Sequence, residues 1–425
     1  MKTIIFTFLV LISGVSTSAI FQVNLTVQDQ VDGNPGDGEC EIASGGFCTL
    51  RAAIMEANAL PGLDIIVLPG DATIRLSITG SDENSAATGD LDITDTVNIG
   101  AFTQLTENFP TIDASNINDR VFHILGNSGL VTFVNFRVVN GSAGFSNGGA
   151  MNVSINNQVE VIRVWFEDNT ADSGGAIYVN ALSELNVSDS VFRGNAAVSR
   201  GGAVTTFSPT EIDQSTIFEN LNFNTGFKEA IFVGLDDFGS SELTLRNSTI
   251  FNNTIGIYAL ESDLSIRNST IAENTERGII ITSEGGVIPD LRIRNSIFTQ
   301  NGSNCFSANG IEARTDNWNI ADGSFCADTT PPVGGPTNLI EDPKLTNLKV
   351  DAENWHRYYR PGFFSPVVDG AHPAAPGPGL GCDLEDQRGV VRPQDGGADG
   401  NERCDIGAIE LLEDVIFYDD FDIAY

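Results

Sequence analysis

From about residue 130 to residue 301, short apolar runs alternate with polar turns once every roughly 21 to 33 residues. Each period closes on a buried-type residue followed three places later by asparagine. The instances are Phe166/Asn169, Phe192/Asn195, Ile217/Asn220, Ile250/Asn253, Ile271/Asn274 and Phe298/Asn301. A unit this short cannot bury an apolar face alone, so successive units must stack. Parallel strands joined by crossovers wind right-handed. The pattern therefore predicts an all-β, right-handed parallel β-helix solenoid over 73–328, with an N-terminal helical cap and an irregular C-terminal cap.

Two local signals refine the coil. Gly-Gly-Ala-apolar recurs at 148–151, 174–177 and 201–204, where glycine permits a positive-φ corner and close backbone stacking. The recurring asparagines Asn169, Asn195, Asn220, Asn253, Asn274 and Asn301 are expected at another corner. There each amide can donate to one neighbour and accept from the other, and asparagine tolerates a left-handed backbone. Upstream, strands are expected at 21–27, 65–68, 73–78, 91–99, 121–125 and 130–139. A helix is expected at 49–59: Leu50, Ala53, Ile54 and Ala57 share a face, Thr49 caps the start and Pro61-Gly62 ends it.

Charge narrows the function classes. With 22 basic against 57 acidic residues the net charge is −35, which disfavours nucleic acid and anionic membranes. Carboxylate density serves solubility or the capture of a divalent cation; no cofactor is required, and calcium is the candidate ion. Residues 1–19 combine Lys2, a short apolar run and the small-residue end Ser18-Ala19, an export signal cut after Ala19. No later run is long enough to span a bilayer, so the expected location is extracellular or at the cell surface. Six cysteines in an exported chain favour disulfides. The nearest-neighbour set is Cys40–Cys48, Cys305–Cys326 and Cys382–Cys404, one of 15 connectivities that sequence leaves open.

The run Cys48-Thr49-Leu50-Arg51-Ala52-Ala53-Ile54, followed by Ala57-Asn58 and Pro61-Gly62-Leu63-Asp64-Ile65-Ile66-Val67-Leu68-Pro69, resembles the CSLREA domain that opens many exported bacterial β-helix proteins. It departs from that pattern at Thr49 and Ala52. The resemblance implies a structural cap over 20–72, which an exposed first coil needs in any case. Ser365-Pro366-Val367-Val368-Asp369-Gly370, Asp386-Gln387-Arg388-Gly389, Arg392-Pro393 and Cys404 to Glu410 resemble the choice-of-anchor Q region that closes such proteins. This implies a terminal region over 329–410, with Arg388 and Arg392 pairing with Asp369, Asp386 or Asp405. An acidic, aromatic tail follows at 411–425. Between the two, the Gly-Gly-Ala-Ile and Phe-x-x-Asn signatures resemble bacterial surface β-helix passengers and adhesins.

Candidate chemistry is thin. A glycosidase needs converging carboxylates, and Asp236-Asp237 is the adjacent acidic pair within the solenoid. Polygalacturonases carry a Gly-His-Gly segment, and none of His123, His356 and His372 is so flanked. A lyase needs cation-holding acids and a basic side chain near the substrate's α-proton. Arg246, Arg267 and Arg294 each precede Asn-Ser in equivalent strands, which places them outward on one face about 5 Å apart. They would clamp uronate or sulfate groups, or pair with neighbouring acids, and Arg267 is also a weak catalytic candidate. The aromatic run 355–360 reads either as a sugar-stacking patch or as a cover over the last coil. The leading expectation is a monomeric, non-catalytic surface protein for adhesion or for binding extracellular polysaccharide or cell-surface glycan. The alternatives are a polysaccharide lyase or glycoside hydrolase acting on an acidic glycan, and a scaffold without ligand.

Overall fold

A computed structural model describes residues 18–412 apart from 82, 103–108, 224–227, 236–240, 285–287, 309–310, 312, 316–317, 325–337, 352–354, 363, 378, 380, 398–399 and 401. The part of the expected export signal up to residue 17, Asp236-Asp237, Cys326 and the tail beyond 412 lie outside the described residues.

The stacked-coil expectation holds. Each regular coil contributes three short strands to three parallel walls. The first wall includes Glu184–Ser188, Thr210–Asp213, Glu242–Arg246, Asp263–Arg267 and Leu291–Arg294. The second includes Val191–Arg193, Thr216–Phe218, Thr249–Phe251, Thr270–Ala272 and Ile297–Thr299. The third includes Ile177–Val179, Val204–Thr206, Glu229–Gly234, Ile255–Leu260 and Arg277–Thr282. Alternation aims Leu185, Val187, Phe192, Ile217, Ile250 and Ile271 into one continuous core, where they are fully or almost fully buried. Like residues stack on like: the Phe166 and Phe192 rings lie 5.0 Å apart, nearly parallel. The run expected at 91–99 is two strands, Leu91–Ile93 and Val97–Gly100. The Asp95 carboxylate turns the chain between them, accepting from Gly62 N and Thr96 N.

The asparagines do form an internal ladder. Asn169 Nδ2 donates to Asn195 Oδ1 at 2.9 Å, Asn195 to Asn220 at 3.0 Å, Asn220 to Asn253 at 3.3 Å, Asn253 to Asn274 at 3.2 Å and Asn274 to Asn301 at 2.9 Å. The left-handed residue, however, is the one before each: Asp168, Gly194, Glu219, Asn252, Glu273 and Gln300 have φ between 52° and 65°. The asparagine amide instead accepts the backbone N–H of the equivalent asparagine one coil earlier, as Asn220 Oδ1 does from Asn195 N. A second ladder joins the first and second walls. Ser190 N donates to Ser215 Oγ, Ser215 N to Ser248 Oγ, Ser248 N to Ser269 Oγ and Ser269 N to Ser296 Oγ. At the Gly-Gly corners the two glycines do different work. Gly174 takes φ of 64°, while a Cβ on Gly175 would sit 2.1 Å from Gly202 O.

At the N-terminal end the helix Leu50–Ala59 starts at Thr49, whose Oγ1 accepts from Ala52 N. It packs over the first coils beside a Cys40–Cys48 disulfide. Arg51, read as part of the cap, is fully buried. It pairs with Asp29 through Nε and Nη2 and donates to the carbonyls of Ala86, Gly89 and Asp90.

The C-terminal region meets the last coil where Ile320–Ala321 pairs with Leu339–Ile340, then turns back along the second wall. Trp355 is 2% exposed, with its ring 4.4 Å from Phe109 and 5.5 Å from Trp165. Tyr359 packs against Phe251. The aromatic run is thus a cover, but of a side wall rather than of the last coil. Outward Thr216, Thr249 and Thr270 tie the cover down through His356, Gln387 and Ala408 N. A Cys382–Cys404 disulfide closes the segment. Arg388 pairs with Asp386 at 2.6 Å. Arg392 faces Glu410 at 3.4 Å and donates to the carbonyls of Asp405 and Gly407.

This segment carries a pH dependence. Burial lifts the Asp405 carboxyl well above its ordinary range, and Glu410 beside it adds to the lift; burial also raises Glu410, against the pull of Arg392. A carboxyl raised on folding holds a proton that the unfolded chain releases. Its stabilising contribution is full below the unfolded value and is lost as pH rises through the raised one. The cover is therefore expected to unfold more readily at about pH 8 than at about pH 5. Asp405→Asn should flatten that slope in a thermal melt followed by Trp355 fluorescence; an identical slope in the variant contradicts the assignment.

Candidate functional site

Strand register places the three arginines on one column. Ile162 pairs with Ser188, Ser188 with Asp213, Asp213 with Arg246, Arg246 with Arg267 and Arg267 with Arg294. The row stands where the first wall bends into the second, at the edge of the C-terminal cover. Arg246 Nη2 contacts Glu211 and lies 2.9 Å from Asp213 Oδ2. Arg267 Nη2 lies 3.0 Å from Asp383 Oδ1 of the cover. Asn247 bridges the two acids, donating to Asp213 at 3.0 Å and Asp383 at 3.2 Å. Burial holds the Asp213 carboxyl above the ordinary carboxylate range, against the pull of the Arg246 guanidinium and the Asn247 amide. A cleft of 360 Å³ opens here, between this column and residues Gly377 and Asp383 to Glu385 of the cover.

A neighbouring cleft of 420 Å³ is lined by Arg163, Asp189, Asp351, His356, Glu385 and Arg388, among others. His356 Nε2 lies 2.6 Å from Asp189 Oδ1, and Nδ1 lies 3.1 Å from Thr216 Oγ1. Both imidazole nitrogens are thereby engaged. Asp189 also accepts the Trp355 indole N–H on its carbonyl. These bonds fasten the cover to the wall, and Thr216, buried beneath it, is unsuited to attack a substrate.

Sequence periodicity therefore located the arginine row but not its acidic partner. Asp383 lies in the irregular region, which no repeat pattern reaches. Asp189 and His356 were equally hidden, because their contact joins positions 167 residues apart. The outer face of the first wall is open by contrast. Asn186, Glu211, Thr244 and Ser265 form one register column, half-exposed along its length. A shallow recess of 110 Å³ at that face is lined by Glu184, Asn186, Thr210, Glu211, Glu242 and Thr244, with Pro209.

The family described as right-handed β-helix region matches residues 232–320. No curated protein sequence is significantly similar to the chain. Among solved structures, the crystal structure of pectate lyase Pel9A is similar, with 13% identity and a TM-score of 0.47, over 94% of this chain and 98% of that one. A rhamnogalacturonan lyase is similar with 11% identity and a TM-score of 0.37, over 79% and 94%. At such values the likeness carries no argument about chemistry. The chain is a right-handed parallel β-helix.

Proposed function

We propose that this chain is an exported or cell-surface β-helix, monomeric, that binds extracellular polysaccharide on its first wall and does not cleave it. The carrying observation is the neutralised arginine row. A β-eliminating site needs a basic group and cation-holding acids turned toward the substrate, whereas Arg246 and Arg267 hold Asp213 and Asp383 of the chain itself. The row serves as a seam for the C-terminal cover. The open polar column supports the binding role, since amide, hydroxyl and carboxylate groups in register match the hydroxyls of an extended sugar chain. Two disulfides and the export-type N-terminus support the location, and no described helix is long and apolar enough to cross a membrane. The Cys40–Cys48 and Cys382–Cys404 disulfides suit a CSLREA-like cap at 20–72 and an anchor-like region at 329–410.

Glu160, Glu184, Glu211, Glu242 and Asp263 face outward along the first wall, with Glu160 and Glu211 flanking Asn186 in one register column. The wall should therefore take neutral glycans directly and acidic ones through a divalent cation such as calcium. A glycan array read with and without calcium tests this. The expected result is calcium-independent capture of neutral polymers, weakened about tenfold by the double variant Asn186→Ala/Thr244→Ala. Retention unchanged in that variant, or no retention of any polymer, overturns the proposal, and the second result makes the chain a scaffold.

A further inference from the structure

We propose that Asp90, Asp92 and His123 form a divalent transition-metal site, of the zinc or manganese class, that fastens the loop before Asp90 to the first coils. Asp92 and His123 are register partners on adjacent strands of the third wall, with Asn152 next in the column. Leu91 and Ile93 point into the core, so Asp92 faces outward. It is nevertheless 0% exposed, because the helix and the loop cover it. Asn58 Nδ2 donates to its carbonyl at 2.7 Å, and Ala86 N donates to Asp92 Oδ2 at 3.0 Å.

The other carboxylate oxygen, Asp92 Oδ1, is fully buried and accepts no hydrogen bond. It aims at His123 Nδ1, 3.3 Å away. One donor atom from each of Asp90, Asp92 and His123 lies within 4.8 Å of the others. A buried carboxylate oxygen with no donor is unfavourable, and a cation between the three groups would relieve it. The neighbouring cations are already engaged: Arg51 with Asp29, and Arg120 with Asp90 at 3.2 Å.

His123 is oriented as a metal ligand should be. Its Nε2 lies 3.1 Å from Ser154 Oγ, so the hydroxyl can take the N–H and leave the Nδ1 lone pair toward Asp92. Such an outer partner fixes tautomer and ring angle at metal centres. The ligand set decides the metal class. Calcium takes oxygen donors, whereas one imidazole with two carboxylates suits zinc or manganese.

The test uses the full mature chain after treatment with a chelator and dialysis. Titration with Zn²⁺ by calorimetry should show one ion per chain, and the thermal midpoint should rise. Asp92→Asn and His123→Gln should each weaken binding by tenfold or more, and Ser154→Ala by about tenfold. Co²⁺ should give a visible absorption band that His123→Gln removes. Ca²⁺ should not reproduce the band or the midpoint shift. Circular dichroism of each variant confirms folding. No stoichiometric Zn²⁺ binding to the wild-type chain, or equal binding in folded Asp92→Asn and His123→Gln, overturns the proposal and leaves a plain His123–Asp92 pair.

Discussion

Asn220→Leu is expected to destabilise the solenoid by about 4 kcal/mol, measured as a shift in the denaturant midpoint with an unchanged slope. The side chain is nearly isosteric, so little packing is lost and the effect isolates polar satisfaction. Asn220 Nδ2 donates to Phe192 O and Phe218 O at 3.0 Å each and to Asn253 Oδ1 at 3.3 Å. Its Oδ1 accepts from Asn195 N at 3.1 Å and from Asn195 Nδ2 at 3.0 Å. All of these groups are buried, and leucine leaves the Asn195 backbone N–H without an acceptor in an interior that water does not reach. Each stranded group costs about 1–3 kcal/mol. Loss of less than about 1 kcal/mol would mean that the ladder bonds are replaced at no expense, against the account given of the corner.

Arg51→Met is the second large effect, expected at about 3–5 kcal/mol. The guanidinium is fully buried and ties the helix to two other segments, through Asp29 and through the loop carbonyls of Ala86, Gly89 and Asp90. Methionine keeps the length and apolar stem but strands the Asp29 carboxylate, which among the described residues retains the donors Ser77 N and Ile78 N. The loss should be local, so amide exchange in the helix Leu50–Ala59 and the loop 83–90 should rise before that of the regular coils. Removing the charge as well, in Arg51→Met/Asp29→Leu, should recover part of the loss, because the penalty comes from one unpaired partner rather than from absence of the pair. Equal losses in the single and double variants would place the effect in packing alone.

These two residues show what the sequence could and could not disclose. The asparagines were legible because a coil repeats its corner, so one amide type recurs at matched positions in successive strands. The left-handed residue before each was not, since Asp, Gly, Glu, Asn and Gln all occupy it, and only the backbone reveals their shared role. The serine ladder was hidden by the abundance of serine in turns. Arg51 lies off the apolar face of its helix, and its burial comes from a loop that no local pattern places there. The arginine row was readable because strand alternation fixes direction and register follows the repeat. Its meaning was not, because Asp383 arrives from an irregular segment where hydrogen bonds join positions more than 130 residues apart. Of the two readings of the row, clamp or pairing with neighbouring acids, the second is what Arg246 and Arg267 display, through Asp213 and Asp383.

Whether the proposed glycan-binding wall holds a polymer or cleaves it by β-elimination is tested most directly by one measurement: ultraviolet absorbance of unsaturated uronate ends released from polygalacturonate and alginate, with calcium present. With Arg246 and Arg267 committed to Asp213 and Asp383, the absorbance should stay flat while the same protein sediments with neutral polysaccharide. A steady rise that Arg267→Ala abolishes would contradict the account and make the seam an active site.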